Sequence, residues 1–295
     1  MERALVSDLQ RQSAHALPCP ACGRATAQQY LFSKNGCGIV RCTECGLGRA
    51  LADSFDTRAY YTEDYFTGGR ADGYADYLAS EPVLRREFAK IVHFIRRYIP
   101  SGKLLELGCA YGFFLREARD HFQVAGIELS EDAAAHARAN GLNVIGGIAD
   151  EINLKQFCRM DVIVLLDVIE HLSDPFETLQ LCRKHLNPHG IIVLTTGDFG
   201  ALAARMAGSN WRLMTPPQHL WYFTAESMKR IAARLGMRVE HLDHPGKFVP
   251  LSLILYQLSR IFCLKSINIP SLSRVGIPVN MFDAMRVVLR NAGEA

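Results

Sequence analysis

A chain of 295 residues, 49% of them hydrophobic and 21% charged, can bury one large core plus a small accessory module and is not a disordered polymer. Its formal net charge of +3 is too small to argue by itself for a nucleic-acid partner. The opening residues, MERALVSDLQRQSAHA, hold no apolar run of the kind an export signal needs, so the chain reads as cytoplasmic. Nine cysteines in that compartment are expected as free thiols or metal ligands rather than as disulfides.

In chain order, the first informative pattern is Cys19-Pro-Ala-Cys22 with Cys42-Thr-Glu-Cys45, each pair trailed by a glycine, Gly23 and Gly46. Each tight turn presents two thiolates, and the 19 residues between the pairs fit a short hairpin, so residues 1–54 are expected to form a ribbon around one structural Zn2+. Cys37 lies between the turns as a spectator. A redox CxxC is the weaker alternative, since it needs a single motif at a strand-to-helix junction. Residues 55–100 follow as a linker or lid with a lead-in helix. The segment SFDTRAYYTEDYFTGGRADGYADY has no period, and its tyrosines from Tyr60 to Tyr77 either close over a substrate or pack on the surface. Ser80-Glu81-Pro82 starts a helix that carries Leu84, Phe88, Ile91, Val92 and Ile95 on one face until Pro100 and Gly102 stop it.

From Lys103 onward, short apolar strands alternate with helical segments: KLLELG, VAGIEL, NVIGG, MDVIVLLDV, GIIVLTT, RVEHLDH and AMRVVLRN. Residues 101–295 are therefore expected to form a doubly wound α/β, Rossmann-like sheet of mostly parallel strands with its ligand at their carboxyl ends. The first strand ends in Glu106-Leu-Gly108-Cys-Ala110-Tyr-Gly112, and the next ends in Glu128, placed to take the ribose hydroxyls of an adenosine. A nicotinamide enzyme could share that second carboxylate. Glu106 argues against it, because a carboxylate beside the turn repels a pyrophosphate and suits a cationic amino-acid moiety.

The turn ELGCAYG, then GIELS, DVIVLLDVIEHLSDP and GIIVLTT, in this order, resemble a class I S-adenosylmethionine-dependent methyltransferase over about Lys103 to Met237. With the ribbon in front, the chain is similar to a bacterial subgroup linked to sugar, polysaccharide or natural-product methylation. The resemblance implies S-adenosylmethionine as cofactor, with Glu106, Gly108, Ala110 and Gly112 on its methionine side and Glu128 with Leu129 on the ribose. It also implies Ile148 and Ala149 at the adenine and Asp167 beside the cofactor. Two departures stand out: Ala110 replaces the usual middle glycine, and Ile148 stands where relatives often carry an acid. The segment DVIEHL is similar to one in small-RNA 3′-terminal ribose methyltransferases and ubiquinone-pathway O-methyltransferases, where an acidic-x-x-Glu-His run joins a later histidine around a divalent metal. That similarity assigns Glu170, His171 and His219, the last in TPPQHLWYFT, to acceptor activation, through Mg2+ or another divalent cation or as a direct proton acceptor. The plainer roles are Asp167 as a cofactor ligand only, Glu170 as a helix cap, and His171 and His219 as packed neutral rings. Trp211, Trp221, Tyr222 and Phe223 are expected in the core or the pocket wall.

The expected reaction is O-methylation of a hydroxyl on a sugar, lipid-linked glycan or natural product. An RNA-modifying enzyme, or an inactive nucleic-acid-binding ribbon protein, is the alternative. Against it, Arg24, Lys34, Arg41 and Arg49 are scattered, and aromatics in the ribbon are confined to Tyr30 and Phe32. A hydrophobic helical insertion is expected at about 247–280. Within it FVPLSLILYQLSRIFCLK sorts Leu251, Ile254, Leu255, Leu258, Ile261 and Phe262 onto one face, for a core, a homodimer partner or the cytoplasmic membrane surface, with Arg260, Lys265 and Lys247 at anionic headgroups.

Overall fold

The computed structural model describes residues 16–52, 60, 66, 76–252, 254–255, 272 and 274–293. The chain divides into two compact units, one of residues 1–55, 165–245 and 281–295 and the other of residues 56–164 and 246–280.

The ribbon opens the first unit with β1 (Ala16–Cys19), β2 (Arg24–Lys34), β3 (Cys37–Cys42) and β4 (Gly48–Leu51), an antiparallel meander. The turn between β2 and β3 uses Asn35 and Gly36, both at positive φ, which suits a two-residue hairpin loop.

The second unit begins with α1 (Glu81–Arg96), which has proline in its first turn and buries Val83, Ile91, Val92, Phe94 and Ile95. Then come β5 (Gly102–Leu107), α2 (Phe113–Ala118), β6 (Phe122–Glu128), α3 (Glu131–Ala139), β7 (Val144–Gly146), α4 (Glu151–Leu154) and β8 (Met160–Leu166), whose last two residues belong to the first unit. Strands β5, β6 and β7 pair in parallel, in the strand order β8-β5-β6-β7. Side-chain caps start these helices on time: Ser130 accepts from the Ala133 N–H at α3, and Asp150 accepts from the Asn153 N–H at α4. Val162 to Leu165 are fully buried, which is why β8 reads as an unbroken apolar run rather than an alternation.

The first unit resumes with a 3-10 turn (Ile169–His171), α5 (Pro175–Lys184), β9 (Leu186–Gly197), α6 (Leu202–Ala207), β10 (Trp221–Tyr222), α7 (Ala225–Arg234) and β11 (Met237–Asp243). The short strand β10 pairs with β4, so the ribbon sheet has five strands in the order β1-β2-β3-β4-β10. In the second unit β12 (Lys247–Pro250) pairs with β13 (Gly276–Val279), and in the first β14 (Ala284–Asn291) runs antiparallel between β9 and β11. The alternation of β5 to β9 and β11 with helices is that of a Rossmann-like α/β fold, as expected.

The segment expected as a helical insertion thus enters and leaves as strand, because Lys247–Pro250 and Gly276–Val279 satisfy each other's backbone groups. Leu251, Ser252, Ile254 and Leu255 are helical, while residues 256–271, with Leu258, Ile261 and Phe262 of the expected amphipathic face, lie outside the described residues. So do Tyr61, Tyr65 and Tyr74 of the expected lid. Among the described residues no helix is long and apolar enough to cross a membrane.

Candidate functional site

The glycine-rich turn after β5 is built around one carboxylate. Glu128, at the end of β6, accepts the Ala110 N–H at 2.6 Å with one oxygen and the Ser130 N–H at 2.8 Å with the other. Ala110 sits at φ 46°, where a side chain is strained by about 1–2 kcal/mol, so the usual glycine has a physical reason and this chain dispenses with it. Gly112, at φ 78°, begins α2. Glu106 is 3% exposed, and its Oε2 has no hydrogen-bond partner among the described residues. Burial, and then the charge of Glu128, push the Glu106 carboxyl well above the usual carboxylate range. Burial likewise raises Glu128. A buried carboxylate with an unmet oxygen fits a cationic partner, and each Glu128 oxygen keeps a lone pair that a ribose hydroxyl could use. Gly108 is exposed, Leu129 and Ala149 are half-buried, and Ile148 is exposed at 44%. Sequence reasoning missed the aromatic group beside this turn: Tyr111 packs against Phe66 and Tyr77, with ring centroids 5.0 and 5.7 Å away.

The first unit gathers the other predicted residues. Asp167 follows β8 at φ 55°. Its N–H meets Thr195 Oγ1 at 3.0 Å, and the Thr195 hydroxyl donates back to its Oδ1 at 2.8 Å. A non-glycine residue held in the left-handed region by a two-way bond with its neighbour is over-determined, as functional positions often are. Glu170, His171 and His219 come together, one ligand atom from each lying within 4.8 Å of the others. The imidazole centroids are 4.6 Å apart. His171 Nδ1 lies 2.9 Å from the Gln218 carbonyl and His219 Nδ1 lies 2.8 Å from the Leu213 carbonyl. A carbonyl only accepts, so His219 Nδ1 carries a proton and its neutral ring has the lone pair on Nε2, while His171 has the Asp167 backbone as a second hydrogen-bond partner. Burial lowers the pKa of His171, and burial followed by the charge of His171 lowers His219 to about 3. Glu170 is not the cap of the next helix: that place belongs to Asp174, which accepts from the Glu177 N–H at 2.9 Å.

Two supporting pairs in this unit were not legible in the sequence. Asp283, 1% exposed, takes Trp211 Nε1–H at 2.8 Å and the Arg212 guanidinium at 2.7 and 3.0 Å. Burial would raise its carboxyl, but the Arg212 contacts win and hold it below the usual range. This fixes Trp211 and Arg212 just ahead of Leu213, the residue whose carbonyl sets the His219 tautomer. Trp211 and Tyr222 are core residues, packed with Phe199 and Met214. The second pair joins Asp198, after β9, to His244, after β11, at 2.8 Å.

The four predicted cysteines also converge within one unit. The Cys19–Cys45 and Cys22–Cys42 sulfurs are 3.6 and 3.8 Å apart. A tetrahedron with metal–sulfur bonds of about 2.3 Å has edges of about 3.8 Å, so the donor set fits a thiophilic cation. Cys19 is drawn down to about 5, chiefly by the hydrogen bond from Cys45, whose own thiol that bond raises. Thiolate character at this cluster is what metal binding uses.

A family model described as a methyltransferase domain matches residues 83–242. The ubiquinone biosynthesis O-methyltransferase of Caulobacter sp. (strain K31) is 32% identical over 157 residues, which are 50% of this chain and 61% of that protein. Its counterpart in Caulobacter vibrioides is 34% identical over 129 residues, 40% of this chain and 51% of that protein. The chain thus spans less than two thirds of these relatives' length. Among solved structures, a SAM-dependent methyltransferase from Archaeoglobus fulgidus has a TM-score of 0.52 at 19% identity, covering 80% of this chain and 100% of that one. Magnesium protoporphyrin IX methyltransferase from Synechocystis, solved with SAH, has a TM-score of 0.50 at 11% identity, covering 79% and 97%. At such identities the structures share the fold alone.

Proposed function

The chain belongs to the methyltransferase-domain family, and from that premise we propose that it is a class I S-adenosylmethionine-dependent methyltransferase whose acceptor is a hydroxyl group on a small molecule. S-adenosylmethionine, when bound, supplies a methyl group activated by a sulfonium. Glu106 complements the ammonium of its amino-acid end, in the turn formed by Gly108, Ala110 and Gly112, and Glu128 accepts from the ribose hydroxyls. Leu129 lies with Glu128 on the ribose side, and Ile148 and Ala149 border the adenine.

The observation that carries the hydroxyl reading is the tautomer of His219 beside His171: the His219 ring donates through Nδ1 to the Leu213 carbonyl, which puts its lone pair on Nε2. An amine is methylated readily once neutral, whereas a hydroxyl must lose its proton as its oxygen attacks, which is work for such a nitrogen. Lowered pKa values keep both rings neutral at neutral pH, the form that can accept a proton or bind a cation, and also make them weak bases. Glu170, His171 and His219 would equally hold one divalent cation, Mg2+ or Mn2+, which would acidify the bound hydroxyl. The similarity to enzymes named as O-methyltransferases supports oxygen as the atom methylated. Cys19, Cys22, Cys42 and Cys45 would hold a structural Zn2+, and four thiolates would leave no place on it for a substrate.

The test is incubation with S-adenosylmethionine and a panel of phenolic, sugar-nucleotide and natural-product acceptors, with mass spectrometry locating the added methyl. Methyl on a hydroxyl oxygen, lost in a His171→Ala, His219→Ala double variant, is expected. Full turnover by that variant refutes the assignment. Activity abolished by chelator with calorimetric cofactor binding intact, and restored by Mg2+, selects the cation version over direct proton acceptance.

A further inference from the structure

We propose that the four-cysteine ribbon is a positioning element of the histidine pair, so that a cation bound by its thiolates sets the geometry of His171 and His219. The inference rests on the reading of that pair as the acceptor-activating group.

The ribbon is connected to the pair by backbone. Cys42 ends β3, and the turn that carries Cys45 closes on it: the Gly46 N–H donates to the Cys42 carbonyl at 3.0 Å and the Cys42 N–H to the Leu47 carbonyl at 2.9 Å. Gly48, the next residue, starts β4, so the thiolate turn and the start of that strand are one rigid piece. Strand β4 continues the ladder onto β10, with Arg49 opposite Trp221 and Gly48 opposite Tyr222. One step before β10, the Ala50 N–H donates to the Leu220 carbonyl at 2.9 Å, and the Leu220 N–H donates to the Glu170 carbonyl at 2.9 Å. Leu220 is therefore gripped by the ribbon on one side and by the 3-10 turn of Glu170 and His171 on the other, with His219 as its covalent neighbour. Trp221 Nε1–H adds a bond of 2.9 Å to the Leu172 carbonyl. A shift of β4 must move the peptide that separates the two histidine segments.

The other face of the ribbon is braced as well. Thr224, which caps α7, donates its hydroxyl to the Cys45 carbonyl at 3.1 Å, and Arg230 on α7 points a guanidinium N–H at Cys22 Sγ, 3.7 Å away. Arg234, one turn on, donates to the Pro20 carbonyl. Four thiolates around one Zn2+ carry a net charge of about −2, which Arg230 offsets, so α7 is matched to the metal-loaded ribbon. Three of the ribbon's four described basic residues are meanwhile engaged inside the unit: Arg24 pairs with Glu44 at 2.8 Å, Arg41 meets Gln29 at 2.9 Å, and Arg49 lies over the Trp221 ring. That arrangement serves folding rather than a phosphate backbone.

Positioning matters at this scale, since a misplacement of about 1 Å can cost about 100-fold in rate. The experiment uses the full-length protein with 15N-labelled histidine, zinc-loaded or stripped of zinc under reducing conditions, in buffer without other divalent cations. Long-range 1H–15N spectra report which ring nitrogen of His171 and His219 is protonated, and calorimetry reports S-adenosylmethionine affinity. Removing zinc is expected to broaden or shift the His171 ring signals and to move those of His219 away from the protonated-Nδ1 pattern, while changing cofactor affinity less than about 3-fold. Should stripping unfold the chain, Gly48→Ala makes the same test with the thiolates untouched, because a Cβ there would come within 2.9 Å of Phe199 and of the Tyr222 Cβ and would wedge β4 from β10. Histidine signals unchanged in Gly48→Ala, or in zinc-free protein that stays folded, overturn the proposal. Histidine signals that move while a His171→Ala, His219→Ala variant keeps full turnover would instead refute the catalytic reading and leave this coupling standing.

Discussion

Glu106 should be a residue that the free protein would be better without. Its carboxylate is 3% exposed with an oxygen that has no hydrogen-bond partner among the described residues, and burial followed by the charge of Glu128 raises its pKa well above the ordinary value. The sign follows from linkage. A carboxyl whose folded pKa lies above its unfolded pKa binds protons more tightly when folded, so stability falls as pH rises from the unfolded value toward the folded one. Glu106→Gln keeps the shape and removes the charge. It should stabilise the cofactor-free protein at neutral pH by removing the ionisation penalty, which amounts to about 1.4 kcal/mol for each unit by which the folded pKa exceeds the unfolded one. The gain should shrink toward pH 4, where the wild-type carboxyl is protonated in both states. The same substitution removes the charge meant for the ammonium of S-adenosylmethionine, and a charge-assisted bond of about 1.5–3 kcal/mol corresponds to a loss of roughly 10- to 150-fold in affinity. Urea denaturation without cofactor and calorimetry with it read the two effects separately. Opposite signs are expected. A variant that loses stability while binding as tightly as wild type would show that Glu106 is an ordinary structural group and would refute the reasoning.

Glu128→Ala should weaken S-adenosylmethionine binding by about 1.5–3 kcal/mol, and because it also frees the Ala110 and Ser130 N–H groups, chemical shifts of both amides should move in the free protein. Asp283→Asn should cost about 1.5–3 kcal/mol in urea unfolding, toward the lower figure because Arg212 is 38% exposed and can rehydrate. That variant should also move the His219 ring signals, since it loosens the segment leading to Leu213, and unchanged stability would show that the carboxylate is not the clamp it looks to be. His219, with its pKa lowered to about 3, stays neutral when folded while an unfolded histidine titrates near pH 6.5. Its contribution to stability should therefore be complete above about pH 6.5 and fall as pH drops toward 3, by at most about 1.4 kcal/mol per pH unit and by less for a ring that is only half-buried. Comparing wild type with His219→Gln between pH 4 and 7 isolates this slope, and parallel curves would contradict it. The acid limb of turnover should correspondingly lie well below pH 6.5.

Which elements form, and the kind of chemistry, were written locally. Apolar runs such as Val162 to Leu165 can be satisfied only between two covered faces, and a glycine-bearing turn flanked by Glu106 and Glu128 speaks of a cationic, ribose-bearing ligand before any coordinates are known. Cysteine spacing likewise predicted the convergence of Cys19, Cys22, Cys42 and Cys45, because a turn of four residues leaves two sulfurs little freedom. Contacts between distant segments were not so written. Pairing of β4 with β10 joins residues about 170 positions apart, and it turns a segment that reads as a separate module into part of the unit that holds the histidines. Asp283 reads as one more acid in a loop until folding buries it against Trp211 and Arg212. The strands at 247–250 and 276–279 went unseen because the apolar spacing around them carries a helical period that backbone pairing overrides. His171 and His219 could be nominated from sequence, but the position of the proton on the His219 ring could not, since it is decided by the Leu213 carbonyl, which only the tertiary structure aims at Nδ1.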